Sequence, residues 1–391
     1  MTTALAADVA AWTTEPGFGL YVHIPFCRHR CHYCDFNTYE GLDDLHSDYV
    51  EALVADVERV EGELPPATSV FFGGGTPTIL PVDALSRILE AIRRRVGLAP
   101  GAEVTVEANP ETVDERYLEG LLAAGFNRAS IGVQSLVPHV LAGLGRTHSP
   151  ETALCALAAA RRAGFPQVSG DLIFGSPWET DDDWRRSLEA LIAADLGHIS
   201  TYALTVEEGT PLSTLVSTGR VPNVDPDVQA ARYEAAAEVL RAAGFVRYEI
   251  SNWARPGAAS RHNVLYWCAG NYLGVGAGAH GHLDGRRSWS VRLPREFIAR
   301  VRSDRSTEAG FEVVAPRGRA EEGLLCGLRL ASGIHREKFE TRYPGFLAER
   351  EDVIDELERD GLVEVAGGWL KLTERGTLLG DGVVTRIALR P

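Results

Sequence analysis

The chain has 391 residues, with 54 acidic against 39 basic side chains and a formal charge of −15. That excess of acid argues against nonspecific attraction to nucleic acid or to an anionic membrane surface. Hydrophobic residues make up 45% of the sequence, yet no apolar run reaches the ~18 residues that a membrane-spanning helix needs.

In chain order, Met1 to Gly17 carries Asp8 and lacks a basic stretch, so it does not read as a signal peptide and is expected to be a flexible tail, residues 1–17. A β-like run at 20–24 leads straight into Phe26-Cys-Arg-His-Arg-Cys-His-Tyr-Cys-Asp-Phe36, in which Cys27, Cys31 and Cys34 have the spacing C-x3-C-x2-C. Further strand-like runs fall at 69–72, 103–107, 129–133, 167–174 and 198–204, with helix-like stretches at 45–61, 81–95, 115–124, 151–163 and 181–194. Alternation at this spacing predicts an α/β fold, a parallel sheet with covering helices. Six units are two short of the eight of a closed barrel. After Pro316 the character changes: helix-like stretches at 320–330 and 347–360 precede Leu362-Val-Glu-Val, a Gly367-Gly turn and Trp369-Leu-Lys-Leu, a hairpin signal. Two helices and a hairpin suggest a winged-helix-like module, a shape that serves as a DNA binder or as a lid. The acidic run at 349–355 favours the lid.

Three thiolates in one short loop can hold three irons of a [4Fe-4S] cluster. Most iron–sulfur sites use four cysteines, so three leave one iron open to a small chelator. Zinc is the alternative, with His29 and His32 as extra ligands. A structural zinc site usually gathers two separated ligand pairs, and the other cysteines, Cys155, Cys268 and Cys326, are isolated. Cys155 and Cys326 lie in helix-like stretches and read as buried free thiols; Cys268 reads as a core thiol. Unpaired thiols fit a reducing cytoplasm. The second strand-like run leads into Gly73-Gly-Gly-Thr-Pro77, where glycines would let backbone N–H groups approach a ligand.

Taken together, Tyr21-x-His23-x-Pro25, the three cysteines, Gly73-Gly-Gly-Thr-Pro-Thr78, Glu107-x-Asn-Pro110, Gly132-Val-Gln-Ser135, Gly145-Arg146, Asp171-Leu-Ile-x-Gly175 and Gly270-x-Tyr-Leu-Gly-x-Gly-Ala277 resemble the radical S-adenosylmethionine superfamily, in its HemN/HemW branch. The resemblance implies a partial (β/α)6 barrel with a small C-terminal winged-helix-like domain. The expected layout is a core barrel at 18–250, an extension and connector at 251–315 and a C-terminal domain at 316–391. It implies that Cys27, Cys31 and Cys34 ligate the cluster. S-adenosylmethionine would then chelate the open iron, its methionine end on the Gly74-Gly75-Thr76 backbone, with Glu107 accepting from a donor on the cofactor. Gln134, Arg146, Asp171, Tyr21 and Tyr33 would line the site. A carboxylate suits an ammonium or ribose hydroxyl, and a guanidinium suits a carboxylate.

Catalytic coproporphyrinogen dehydrogenases of this branch carry one more cysteine two residues after the third; here that position is Phe36. C-x3-C-x2-C-x-F is the HemW pattern, and His262-Asn263-Val-Leu-Tyr266-Trp267 matches its H-N-x-x-Y-W motif. HemW-like proteins bind heme and are regarded as heme chaperones. The resemblance therefore implies heme held by His262, Asn263, Tyr266 and Trp267, with His262 an axial ligand. Arg255 and Arg261 are the propionate candidates, and His280 is a second histidine near the same loops. On residue types alone, the motif equally describes a buried aromatic cluster around a hydrogen-bonded histidine. The partners implied are heme and heme-accepting proteins such as respiratory cytochromes, without nucleic acid; peripheral association with membrane protein partners and a homodimer are compatible with it. The other two readings are an oxygen-independent coproporphyrinogen III dehydrogenase and a radical enzyme of unknown substrate.

Overall fold

The computed structural model describes residues 9–389. Six neighbouring parallel strands form its centre: β1 (Phe18–Ile24), β2 (Ala67–Gly74), β3 (Leu98–Ala108), β4 (Arg128–Gln134), β5 (Gln167–Phe174) and β6 (His198–Ala203). Strand alternation divides their side chains between two faces. Leu20, Val22 and Ile24 point into the helical layer and are fully buried. Tyr21 faces the interior and stacks on its register partner Phe71, with ring centroids 6.3 Å apart.

Helices His46–Glu58, Val82–Arg95, Glu115–Ala124, Pro150–Arg162 and Asp181–Ala193 cover the sheet. Their starts have local causes. Asp114 and Ser149 accept from backbone N–H groups three residues on, and Thr180 with Asp183 forms a capping box. Leu85, Ile88, Leu89 and Ile92 recur at helical spacing and are completely buried, each contributing roughly 1.5–3 kcal/mol.

The sheet does not stop at six strands. Beyond β6 lie β7 (Val246–Arg247) and β8 (Asn252–Ala254). Beyond β1, β9 (Asn271–Val275) pairs in parallel, followed by antiparallel β10 (His280–Leu283), β11 (Arg286–Ser290) and β12 (Glu308–Val313). The result is a 12-stranded sheet. The expected extension and connector at 251–315 is not set apart from the barrel: it contributes β8 to β12 of this sheet. Val275, Ala277, Phe297 and Ile298 belong to the same core as β1 and the His46–Glu58 helix. The flexible-tail expectation is also corrected in part. Residues 9–14 are helical, Val9 is buried beside Tyr248 and Val264, and the Arg261 guanidinium lies over the Trp12 ring at 5.3 Å. The rest of that expectation, residues 1–8, falls outside the described residues.

The C-terminal domain runs helix Pro316–Gly327, β13 (Ile334–His335), helices Arg336–Arg342 and Glu351–Arg359, then β14 (Val363–Ala366) and β15 (Trp369–Leu372). This is winged-helix order, with its own core around Leu324, Ile354, Leu357 and Leu370. It docks on the barrel through Arg342, which donates to the carbonyls of Cys268 (3.0 Å) and Ala269 (2.8 Å). Among the described residues, no helix is long and apolar enough to cross a membrane.

Candidate functional site

At the C-terminal ends of β1–β5, Cys27, Cys31 and Cys34 line one cavity of about 130 Å³. The loop is tied at its base: Cys27 N–H donates to the Tyr39 carbonyl and Tyr39 N–H to that of Pro25. Of the two neighbouring histidines, only His29 lines the cavity with the thiols. His32 is spent on the Gly143 carbonyl at 3.0 Å, and His29 lies 3.5 Å from the exposed Glu40 carboxylate. Among the described residues no three His, Cys, Asp or Glu side chains converge on a single point, as a mononuclear zinc site would require. Three thiols around a cavity are instead the donor set for a polynuclear cluster. Burial pushes the Cys27 thiol up to about 11 and raises Cys34 as well.

Tyr33, Gly74, Gly75 and Thr76 share this cavity, as do Glu107, Gln134, Arg146 and Asp171. Tyr21 does not; it lines a second, larger cavity and donates from its hydroxyl to His23 Nδ1 at 2.9 Å. Arg146 reaches the centre of the site, donating to Cys31 Sγ (3.4 Å), Asn109 Oδ1 (2.7 Å) and the Gly132 carbonyl (3.0 Å). Its Nε is buried without a partner, an orphan donor beside the thiols that an anionic ligand group would satisfy.

The glycine loop differs from the N–H cradle expected of it. Gly75 N–H is spent on the Ile24 carbonyl and Thr76 N–H on that of Phe26, both at 2.8 Å, while Gly74 N–H donates to Glu107 Oε2 at 3.2 Å. Glycine is required for contact with the cysteine loop: a Cβ on Gly75 would sit 2.5 Å from the Phe26 carbonyl oxygen. Gly74 has φ +109°, a conformation that side chains disfavour. The wall thus offers a carboxylate acceptor rather than free N–H groups. Burial raises Glu107 to about 7, with the nearby Asp171 charge adding to the shift. Asp171 accepts from Ser130, Ser169 and Ser200 at 2.6 to 3.0 Å and acts as a braced post. Gln134 has φ 63°, at an irregularity in the β4–β5 pairing that turns it toward the cavity.

The second cavity, about 580 Å³, is bounded by Tyr21, His23, Tyr266, Tyr272, His280, Trp289 and Arg292. Phe36, Gly74 and Glu107 border both cavities, so the two meet there. Phe36 is 63% exposed at that junction.

The H-N-x-x-Y-W motif is the short helix Arg261–Trp267, and the structure separates its members. The helix plugs the barrel base. Glu103 accepts from Ser260 Oγ, Arg261 N–H and His262 N–H at 3.0 to 3.2 Å, placing a carboxylate at the helix N-terminus. His262 is fully buried there, its Nδ1 hydrogen-bonded to Ser69 Oγ at 2.9 Å and its ring stacked on Phe71. Burial holds it neutral, down to about 3. This corrects the expectation of an axial donor open to heme: the buried aromatic cluster is what forms. Tyr266 alone of the motif reaches the larger cavity, packing edge-on against Tyr272 with centroids 4.7 Å apart. Trp267 faces the C-terminal domain under Arg329, and Asn263 N–H serves the Ser260 cap. Arg255 lies over Phe245 and donates to the Leu196 carbonyl, away from the cavity.

Asn109, Tyr272, Trp289 and Arg292 escaped the sequence reading as site residues. Asn109 bridges Arg146 and Thr76 and stands in the quoted Glu-x-Asn-Pro motif, so its signal was present. Tyr272 likewise stands in the quoted Gly270-x-Tyr-Leu-Gly motif, whereas Trp289 and Arg292 lie on or just after a short strand without a periodic signature.

Residues 21–191 match the radical SAM superfamily and residues 314–379 the HemN C-terminal domain. The chain is 42% identical over 372 residues to the heme chaperone HemW of Mycobacterium tuberculosis, covering 94% of each protein. It is 34% identical to the heme chaperone HemW of Bacillus subtilis, over 93% of this chain and 97% of that one. It is 37% identical to the radical S-adenosyl methionine domain-containing protein 1, mitochondrial, of Bos taurus, over 95% and 87%. Coproporphyrinogen III oxidase (HemN) from Escherichia coli superposes with a TM-score of 0.82 over 98% of this chain and 93% of that one; at 21% identity the shared feature is the fold. Similarity at this level along nearly the whole length means that the chain belongs to the HemW family of the radical SAM superfamily.

Proposed function

We propose that this chain is a heme-binding chaperone that carries a [4Fe-4S] cluster and an S-adenosylmethionine site and passes heme to acceptor proteins. The observation that carries the proposal is the junction at Phe36, where the three-thiol cavity opens into a wide aromatic cavity. Cys27, Cys31 and Cys34 would hold the cluster, which would supply one-electron chemistry to a bound S-adenosylmethionine. Arg146, braced by Asn109, presents donors beside the thiols for the cofactor's carboxylate. Glu107 accepts from its ammonium or ribose, and Asp171, Gln134, Tyr33 and the Gly74–Gly75–Thr76 wall shape the rest. Phe36, exposed at the junction of the two cavities, stands where the porphyrinogen-oxidising branch carries a further cysteine.

Heme-accepting proteins such as respiratory cytochromes, met in the cytoplasm or at a membrane surface, are the partners this reading calls for. Anaerobically reconstituted protein should bind heme stoichiometrically, deliver it to an apo-cytochrome and leave coproporphyrinogen III unchanged. Conversion of coproporphyrinogen III to protoporphyrinogen IX would replace this reading with that of a dehydrogenase.

A further inference from the structure

The buried position of His262 leaves open where a tetrapyrrole would bind. Iron needs a neutral nitrogen donor that faces a space, and the macrocycle needs flat apolar walls. Bringing His262 to heme would require withdrawing the Arg261–Trp267 helix from the barrel base, with loss of the three hydrogen bonds to Glu103.

The cavity at the barrel mouth already has the required features. Its volume, about 580 Å³, lies within the roughly 300–1,000 Å³ usual for small-molecule sites. His280 is exposed on the cavity wall, and its ring stacks on that of its register partner Trp289, centroids 6.0 Å apart and planes 29° from parallel. Tyr272 and Tyr266 supply a second aromatic surface. Arg292 is exposed at the rim, within 3.5 Å of Asn37 Oδ1. Partial burial, with Arg287 and Arg292 nearby, lowers the His280 pKa and keeps the imidazole neutral for metal. In a chain of net charge −15, Arg292 gives the mouth a local positive group suited to a carboxylate, while Arg287 is held in ion pairs with Glu312 and Glu322.

We infer that heme seats in this barrel-mouth cavity, with His280 as the iron donor, Trp289 and the Tyr266–Tyr272 pair flanking the macrocycle, and Arg292 at the propionate edge. The inference rests on the proposed heme function and assigns its site.

The test titrates hemin into anaerobically reconstituted full-length wild type, His280→Ala, His262→Asn and Cys268→Ser, following the Soret band and the iron EPR signal. His280→Ala should weaken binding at least tenfold and shift the Soret band, and added imidazole should restore the wild-type spectrum. His262→Asn, checked for folding by thermal unfolding and cluster content, should keep that spectrum, and Arg292→Ala should weaken binding without shifting it. An unchanged spectrum and affinity in His280→Ala would overturn the assignment while leaving the heme function intact. So would a shift caused by Cys268→Ser, which would place heme in a separate cavity of about 450 Å³ lined by Trp267, Cys268 and, from the C-terminal domain, Arg342 and Tyr343. Absence of stoichiometric heme binding by the wild type would remove the functional reading itself.

Discussion

The mouth and the base of the barrel are made by the same strands and have opposite characters. At the mouth, polar groups are gathered and incompletely paired: Arg146 Nε has no partner, Gln134 is held at positive φ, and Glu107 is buried with only Gly74 N–H on its carboxylate. At the base, Glu103 satisfies three donors, and Ser69, Phe71 and Tyr266 enclose His262. Strain and unmet hydrogen bonds are tolerated where a ligand can compensate them. At the plug the hydrogen bonds are made within the chain, except at His262 Nε2, which is buried without a partner. The motif with the clearest link to heme thus holds the barrel closed from below, while the residues free to meet a ligand stand above it.

The comparison breaks most sharply with the cysteines. A Cys27→Ala/Cys31→Ala/Cys34→Ala variant should lose essentially all iron and sulfide after reconstitution, because it removes all three thiols that line the cavity. Its thermal unfolding without cluster should match that of the cluster-free wild type. Wild-type cluster content in the variant would place the cluster elsewhere.

A smaller effect is expected from Gly75→Ala. The added methyl meets the Phe26 carbonyl at 2.5 Å, and backbone on both sides limits relief. The glycine loop and cysteine loop must separate, so S-adenosylmethionine binding, read by calorimetry and by its perturbation of the reduced cluster's EPR signal, should weaken at least tenfold. Iron content should change little. Unaltered binding would mean that the contact between the loops is not what shapes the cofactor wall.

At the base, Glu103→Ala leaves Ser260 Oγ and two backbone N–H groups without their acceptor. Stability should fall by about 3 kcal/mol, as a lower urea midpoint, with cluster content unchanged. Loss of cluster without loss of stability would invert the division between mouth and base.

Much of the mouth was legible in the sequence, because each chemical residue there follows a strand whose hydrophobic run is unmistakable. The cysteines follow β1, the glycines end β2, and Glu107 and Gln134 close β3 and β4. The far wall was not legible. β8, β10 and β11 have three to five residues, and β9 holds its place by pairing with β1 across some 250 positions of chain, which no local pattern encodes. The role of His262 was hidden for another reason. A histidine beside Tyr266 and Trp267 has the same residue types whether it faces iron or a serine; only the placement of Ser69 and Glu103 beneath the helix decides between them. The tail was misread because Val9 and Trp12 find their partners in residues some 240 positions away.

The base also sets a pH signature. His262 is neutral in the fold down to about pH 3 because burial disfavours its charged form, whereas in the unfolded chain it titrates near the ordinary ~6.5. Between those values the unfolded state binds the extra proton, so this residue lowers stability as pH falls from about 6.5 toward 3, by at most about 1.4 kcal/mol per pH unit. His148 and His198, also held low by burial, act in the same direction. Glu107, Glu179 and Glu249, each raised to about 7, act in the opposite one, adding stability as pH falls from 7 toward 4.5. The net profile therefore mixes both signs, and a difference measurement isolates the plug. His262→Asn offers a polar group to Ser69 without a titrating ring. It should be less stable than wild type at pH 7.5, and the gap should narrow by about 1 kcal/mol per pH unit between pH 6 and 5. A gap that stays constant through this window would mean that His262 takes up its proton in the folded chain, which would require an opening to solvent at the barrel base.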